Sequence, residues 1–196
     1  MRIHRWIPRS ALLIGVASLM LLMDCVVLAD HPFFAPDQCR VDESLLGRWE
    51  DRAGRPEGDV QGHYEVTPSP DGHSMDTLGG YENSREKAGR FWVTEVHGQQ
   101  LMCFSFEEQK PVKYMLFRVQ KHKEAIELDS LNLAWLQKQL DSGQLTFDVE
   151  KSGGSSPMLI KAETAQMQPL IRMAAKDPEA FNDKAPIFLT REKTVH

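Results

Sequence analysis

The sequence lacks the short motifs by which many enzymes hold a nucleophile, a phosphate or a dinucleotide. It contains no Gly-x-Ser-x-Gly elbow, no Walker loop and no Gly-x-Gly-x-x-Gly fingerprint. Its glycine pairs, Gly79-Gly80 and Gly153-Gly154, are typical of turns or β-bulges. We therefore expect a protein that is not an enzyme, with no catalytic residue and no cofactor.

Patterns for metal binding are also missing. None of the seven histidines shares a metal-type spacing with a second histidine, a cysteine or a carboxylate. There is no His-Glu-x-x-His, no paired Cys-x-x-Cys and no calcium loop. The sequence predicts surface histidines and no metal site.

The chain has no excess of positive charge. It carries 23 Lys and Arg against 28 Asp and Glu, a formal net charge of −5, and the basic residues are scattered. A nucleic-acid binder usually shows a clustered basic surface. We expect no nucleic acid among its partners.

Cysteine is scarce, with three residues in the chain. Cys25 falls in the N-terminal segment, which leaves Cys39 and Cys103 as the one intramolecular pair. If joined, they would close a loop of about 65 residues and stabilise the fold by roughly 4 kcal/mol. The alternative is a free Cys39 in a leader and a Cys103 that is a small core residue in a strand. The spacing does not decide between them.

One long apolar run is present, at the N-terminus. Arg2, Arg5 and Arg9 precede an uninterrupted apolar stretch, 11–23, which is the pattern of a secretory signal. The run is shorter than the roughly 20 apolar residues that span a bilayer. We expect an exported protein in the periplasm, the cell envelope or the extracellular space, touching membrane only through this signal or a lipid anchor.

Two processing sites compete within this segment. Val27 and Ala29 satisfy the small-residue rule of signal peptidase, so we predict a signal peptide over 1–29 and a mature N-terminus at Asp30. The alternative is a lipoprotein signal that ends at Cys25. Asp24 stands directly before that cysteine, where lipoprotein processing favours a small residue, so we take lipidation as the alternative.

A leader and a single domain follow the signal. Residues 30–43 carry two prolines and an apparently exposed Phe33-Phe34 pair, and we expect the folded domain to span 44–196. Short apolar runs separated by turn residues predict an antiparallel meander. The predicted strands are Leu45–Asp51, Gly62–Thr67, His73–Tyr81, Arg90–His97, Gln100–Phe106, Val112–Gln120, Ala125–Asp129, Gln144–Glu150, Pro157–Ala162 and Ile187–Arg191.

Two helices interrupt the strands. Leu133, Leu136 and Leu140 share one helical stripe, and Asn132 can cap the start, which predicts a helix near 132–142. A second apolar stripe predicts a helix near 165–176, in which Pro169 requires a late start or a kink. The fold class is mainly β with two helices.

The first strand opens with Leu46-Gly47-Arg48-Trp49. This sequence resembles the Gly-x-Trp signature of the lipocalin and fatty-acid-binding-protein superfamily. The resemblance implies a barrel of about 8 to 10 strands, in which Gly47 and Trp49 close one end and an arginine near the last strand covers the tryptophan. Arg191 is in the matching place.

A second resemblance covers the chain from Ser44 onward. The order of Leu-Leu-Gly-Arg-Trp-Glu, the meander, Leu-Asn-Leu-Ala-Trp-Leu, the second helix and Asp-Pro-Glu-Ala-Phe is similar to that of uncharacterised exported bacterial proteins, many with lipoprotein signals. This likeness implies an envelope location and no particular activity.

Two functions fit these patterns. In the first, the barrel holds a small apolar or amphipathic ligand, and the ligand-facing candidates alternate on central strands: Met102, Phe104, Phe106, Met115 and Phe117. In the second, the barrel is filled and acts as a structural or protein-interaction module of the envelope, with Phe33-Phe34 and the second helix as contact candidates.

Overall fold

The barrel is built from eight antiparallel strands. The computed structural model describes residues 27–80, 87–106, 110–151 and 158–192, so most of the predicted signal peptide, up to residue 26 and including Cys25, and the Gly153-Gly154 pair lie outside the described residues. The barrel strands are β2 (Gly47–Arg52), β3 (Val60–Pro68), β4 (Met75–Gly80), β5 (Lys87–Val96), β6 (Gln99–Ser105), β7 (Tyr114–Lys121), β8 (Ala125–Leu131) and β11 (Phe181–Arg191). They pair in the order β6-β5-β4-β3-β2-β11-β8-β7, and β7 returns to β6 to close the ring. The predicted class, mainly β with a lipocalin-like barrel, is confirmed.

The two predicted helices are also present, each shorter than its expected range. Helix α1 (Leu133–Asp141) begins where the Asn132 side chain accepts hydrogen bonds from the backbone N–H groups of Ala134 and Trp135. Helix α2 (Gln168–Ala174) has Pro169 in its first turn, so it starts late rather than kinking, since proline lacks the N–H that interior helical positions must donate.

Alternation along the strands produces two separate cores. The inner core fills the barrel and the outer core lies between the barrel wall and the helices. The inner core consists of Leu45, Trp49, Val66, Met75, Phe91, Val93, Met102, Met115, Phe117, Val119, Ile126 and Leu128. The outer core includes Leu101, Cys103, Leu116 and Leu131 from the wall, with Trp135, Leu136, Leu170 and Ile171 from the helices. Successive residues of a strand point to opposite faces, so strands β6, β7 and β8 contribute to both cores.

Three short strands extend the sheet beyond the barrel. They are β1 (Val27–Ala29), β9 (Val149–Lys151) and β10 (Met158–Ile160). Strand β1 pairs in parallel with β10 and antiparallel with β7, where Ala29 lies opposite Tyr114. Strand β10 pairs in turn with β9. Val27 and Ala29 are buried in the outer core.

Residues 30–43 belong to this domain, which corrects the prediction of a separate leader with an exposed Phe33-Phe34 pair. Phe33 is fully buried and Phe34 is 3% exposed, both in the outer core. The Asp30 N–H donates to the Ile160 carbonyl oxygen, and the Asp30 carboxylate pairs with Lys113 and Lys161. These contacts come from residues far along the chain, which local sequence does not reveal.

The predicted cleavage after Ala29 therefore has a structural consequence. It would remove β1, whose two buried side chains cover part of the outer core, and it would place a new chain terminus at Asp30. Cleavage at or before residue 26 would leave β1 in the sheet.

Two strand predictions need new boundaries. Within the predicted strand Gln144–Glu150, the strand β9 begins only at Val149, although Leu145 is buried. Strand β11 begins at Phe181 rather than Ile187, because its pairing with β8 continues across an irregularity between Asn182 and Ile187. Such an irregularity disrupts the ladder without ending the strand.

Candidate functional site

One end of the barrel is closed by Trp49 and Arg191. Trp49 is 4% exposed, and its indole N–H donates to the Leu45 carbonyl oxygen at 2.9 Å. The Arg191 guanidinium carbon lies 4.2 Å from the centroid of the Trp49 ring, within the range of a cation–π contact. The same guanidinium donates to the carbonyl oxygens of Leu46 at 2.6 Å and Ser44 at 2.8 Å. Arg191 thereby ties the chain that enters the barrel to the last strand.

Gly47 makes this closure sterically feasible. Its φ angle is +111°, in the region that favours glycine, and a Cβ atom built there would lie 2.6 Å from Nη1 of Arg191. The three residues singled out by the Gly-x-Trp resemblance are thus in mutual contact. We interpret their role as structural, because the Arg191 guanidinium and the Trp49 indole already contact other groups of the protein.

The five predicted ligand-facing side chains belong to the inner core or pack against it. Met102, Met115 and Phe117 are buried, while Phe104 and Phe106 are partly buried. The last two rings meet edge to face with centroids 5.0 Å apart. These residues do line the barrel, and the structure shows them contacting one another.

Two glycines on the inner face accommodate aromatic rings. A Cβ atom at Gly89 would lie 2.5 Å from the Phe104 ring, so this ring occupies the space that a side chain on β5 would need. At Gly62 on β3 the equivalent atom would lie 3.6 Å from the Tyr64 ring. Aromatic side chains therefore cover the glycine positions of the barrel wall.

Asp51 is a charged group within this otherwise apolar interior. It follows Trp49 by two residues on β2, so both side chains point inward, and Asp51 is 8% exposed. Its neighbours across the sheet are Gly62 on β3 and Leu189 on β11. Among the described residues no hydrogen bond or ion pair reaches its carboxylate. Burial raises the pKa of Asp51 to about 6.

Thr77 contributes a second unsatisfied polar group. The threonine is 6% exposed, lies on β4 between Val66 and Gly89, and its hydroxyl has no hydrogen-bond partner within the described part of the chain. Buried polar groups usually have partners. Asp51 and Thr77 are thus inward-facing polar residues without a hydrogen-bond partner among the described residues, and of the two, the Thr77 hydroxyl is inaccessible to solvent.

A cavity of about 380 Å³ lies outside the closed end, between the entering chain and the hairpin of β5 and β6. Two of its charged lining residues are paired with each other: Asp42 accepts hydrogen bonds from Lys121 at 2.6 Å, and also from Ser44 and Gln100. Burial alone would raise the pKa of Asp42, but these hydrogen bonds outweigh it and lower the pKa to about 2. We interpret these hydrogen bonds as structural contacts that hold the entering chain in place.

Asp129 is a second buried carboxylate, located on the outer face of β8. It is fully buried, and its Oδ2 accepts hydrogen bonds from Arg118 at 2.9 and 3.0 Å and from Gln120 at 2.8 Å. The Arg118 guanidinium carbon lies 5.5 Å from the Phe181 ring centroid. Arg118 is the residue directly opposite Asp129 in the sheet, so its guanidinium compensates the charge at Oδ2, while Oδ1 has no hydrogen-bond partner among the described residues.

Cys39 and Cys103 are both free thiols, buried in the outer core. The disulfide that the sequence allowed is not formed in this structure, and the alternative of a Cys103 in the core holds. Burial raises the pKa of Cys39 to about 11 and that of Cys103 to about 12. Thiols with such pKa values are weak nucleophiles at neutral pH.

The described residues contain no group of three or more His, Cys, Asp or Glu side chains that could hold a metal ion. No helix in the described ranges is long and apolar enough to cross a membrane.

Sequence reasoning missed Asp51, although a signal was available. Asp51 was the last residue of a predicted strand, two positions after Trp49, so the same alternation that buries Trp49 points Asp51 inward. Its lack of a partner could not be anticipated, because Gly62 and Leu189 become its neighbours only through the pairing of distant strands.

Comparison with known proteins finds no match: no family model, no curated protein and no solved structure is significantly similar to this chain. The candidate site is therefore interpreted from its own geometry.

Proposed function

We propose that this protein is a non-enzymatic binding protein whose barrel takes a small amphipathic molecule at the end that contains Asp51. The observation that supports the proposal is the Asp51 carboxylate, which is buried on the inner face of the barrel and has no partner among the residues that the structure describes. Apolar pockets with a small number of polar groups are the usual form of small-molecule sites. The apolar part of the ligand would contact inner-core side chains such as Phe104.

The folding free energy of the buried Asp51 carboxylate favours a ligand that binds it. A buried carboxylate without hydrogen bonds costs folding free energy, on the order of several kcal/mol for the charged form. A ligand whose polar group donates to Asp51 would recover part of that cost on binding. Perturbed carboxyl groups of this kind are concentrated at functional sites.

A titration with environment-sensitive fluorescent probes tests the proposal. Dansyl-labelled alkyl chains are titrated into the purified protein, with emission excited through the protein tryptophans, and an unlabelled alkyl compound is added as competitor. We expect saturable, competable binding with one site per chain, lost in denaturant. Absence of saturable binding for apolar, neutral and charged probes would refute the proposal.

Close contact among the inner-core side chains supports a second candidate, a filled barrel that acts as an interaction module. Met75 is fully buried, and Val93 and Met102 are 3% and 6% exposed within one cluster. The Phe33-Phe34 pair is not available as its contact surface, because both rings are buried. Exposed apolar residues such as Leu78 on β4 would serve instead. Loss of a chemically cross-linked complex in Leu78→Asp, with barrel stability unchanged, would support this candidate over ligand binding.

We further propose that the protein is exported to the bacterial envelope, as a relative of the exported proteins that the sequence resembles. The N-terminal arginines followed by the apolar run 11–23 support this location. Fractionation of cells that express the full chain tests it, since recovery in the cytoplasm at full length would exclude export.

A further inference from the structure

We infer that the barrel prefers ligands that carry a protonated amine, and that Asp51 is the residue that binds this group. This inference rests on the proposed function and narrows it to one class of ligand. It follows from the negative charge inside the barrel, from the position of Asp51, and from the pairing of the nearby Lys and Arg side chains with other groups.

The charge inside the barrel is negative. Asp51 and Asp129 are the buried charged residues of the described chain, and Asp129 faces outward, where Arg118 compensates it. Asp51 therefore faces the interior, and no described residue acts as its counterion. A ligand carboxylate placed beside it would be repelled, whereas an ammonium group would be attracted and could donate up to three hydrogen bonds.

Cations of the barrel itself do not satisfy Asp51. Arg191 lies at the closed end, where its guanidinium donates to two carbonyl oxygens and covers Trp49. Lys121 pairs with Asp42 on the same side of the barrel. Arg52, which follows Asp51 directly, points to the opposite face and pairs with Glu50. Among the described residues no Lys or Arg side chain pairs with Asp51, so the amine of a ligand is a suitable counterion for it.

Asp51 is not fully sealed from solvent, since 8% of the residue is exposed. It is the last residue but one of β2, two residues beyond Trp49 on the same face, and the chain turns back over residues 53–59 before β3 begins. Its neighbours Gly62 and Leu189 offer no donor that would compete with a ligand. The Tyr64 ring lies 3.6 Å from the position of a Cβ atom at Gly62, the cross-strand neighbour of Asp51, and an aromatic ring is a favourable neighbour for an ammonium group.

Three dansyl probes of equal chain length, ending in a primary amine, a carboxylate or a neutral alcohol, test the inference at pH 7. We expect the amine to bind at least about 10-fold more tightly than the carboxylate, which corresponds to about 1.4 kcal/mol. In Asp51→Asn the amine should bind no more tightly than the alcohol, while affinity for the alcohol stays unchanged.

Glu65→Gln is the matched control, because it removes the same charge from an exposed position on the outer face of β3. It should leave the preference for the amine intact. Binding of the alcohol probe shows that Asp51→Asn is folded, and Asp51→Ser provides a second variant should the first fail to fold.

The outcomes separate the inference from the proposed function. Equal affinities for all three probes, unaffected by Asp51→Asn, would overturn the preference for amines and leave ligand binding in place. A preference for the carboxylate would overturn it as well. Binding of none of the three probes would refute the proposed function together with the inference.

Discussion

Strand β1 offers a direct test of how the N-terminal segment contributes to the fold. Val27 is 3% exposed and Ala29 is fully buried, and the three residues of β1 pair with all three residues of β10. Starting the chain at Asp30 removes these side chains and uncovers Met158 and Ile160 on β10, which are 4% and 0% exposed.

The magnitude follows from burial and pairing. The two buried side chains, at about 1.5 to 3 kcal/mol each, and about three backbone hydrogen bonds, at about 1 kcal/mol each, together amount to roughly 6 to 9 kcal/mol. Ordering the three residues costs about 4 to 5 kcal/mol, which the shorter chain does not incur. The expected net loss is about 3 kcal/mol, a large part of the 5 to 15 kcal/mol that typically stabilises a domain.

Urea unfolding of two purified chains, one beginning at Val27 and one at Asp30, measures this difference. With a denaturant slope of roughly 2 kcal/mol per molar, the midpoint should fall by about 1.5 M. Ala29→Asp in the longer chain should reproduce most of the loss, because it places a charge at a fully buried position. Arg48→Ala, at an exposed side chain, should change the midpoint little.

Equal midpoints for the two chains would refute the reasoning and make β1 dispensable. The result also bears on processing. If the exported protein begins at Asp30 by intact-mass measurement, the domain functions without β1. A start at or before Val27, or a diacylglyceryl adduct on an N-terminal Cys25, would show that the predicted cleavage site is wrong and that β1 is retained.

Further predictions concern the barrel closure, the buried carboxyl group and the thiols. Trp49→Ala should destabilise the protein by roughly 3 to 5 kcal/mol through loss of burial and a new cavity, and Arg191→Ala by about 1 to 2 kcal/mol; thermal unfolding of both variants checks the order. The pKa of Asp51 is raised to about 6 by burial, so folding favours its protonated form. Relative to Asp51→Asn, stability should therefore be greatest below about pH 4 and fall by roughly 3 kcal/mol as pH rises through 6, as urea titrations at several pH values would show. Cys39 and Cys103 should resist alkylation at pH 8 until the protein is unfolded, and non-reducing peptide mapping that finds them joined would contradict the free thiols of this structure.

The barrel could be predicted because its signals are local. Alternation of apolar and polar residues identified most strands, Asn132 marked the start of α1, and Gly47, Trp49 and Arg191 marked the two ends of the closure. Each of these signals depends on a few neighbouring residues or on a recognised pattern.

The N-terminal segment could not be predicted in the same way. Small residues at positions 27 and 29 suit a signal peptidase site, and they also suit a buried strand packed against β10. Prolines around Phe33 and Phe34 indicate an irregular segment, but irregular backbone does not exclude burial. The outer core that covers both rings is assembled from β10, α1 and α2, more than a hundred residues further along the chain.

Two aspartates show that strand pairing determines whether a buried carboxylate has a side-chain partner. Asp51 and Asp129 both lie in strands and both are buried. The sequence around each aspartate does not reveal which of them has a partner. Asp129 faces Arg118 across the β7–β8 ladder and receives charged hydrogen bonds from it. Asp51 faces Gly62 and Leu189, neither of which can donate from a side chain. Because a one-residue shift in pairing would exchange these neighbours, the register of β2 against β3 and β11 leaves the Asp51 carboxylate without a side-chain partner among the described residues.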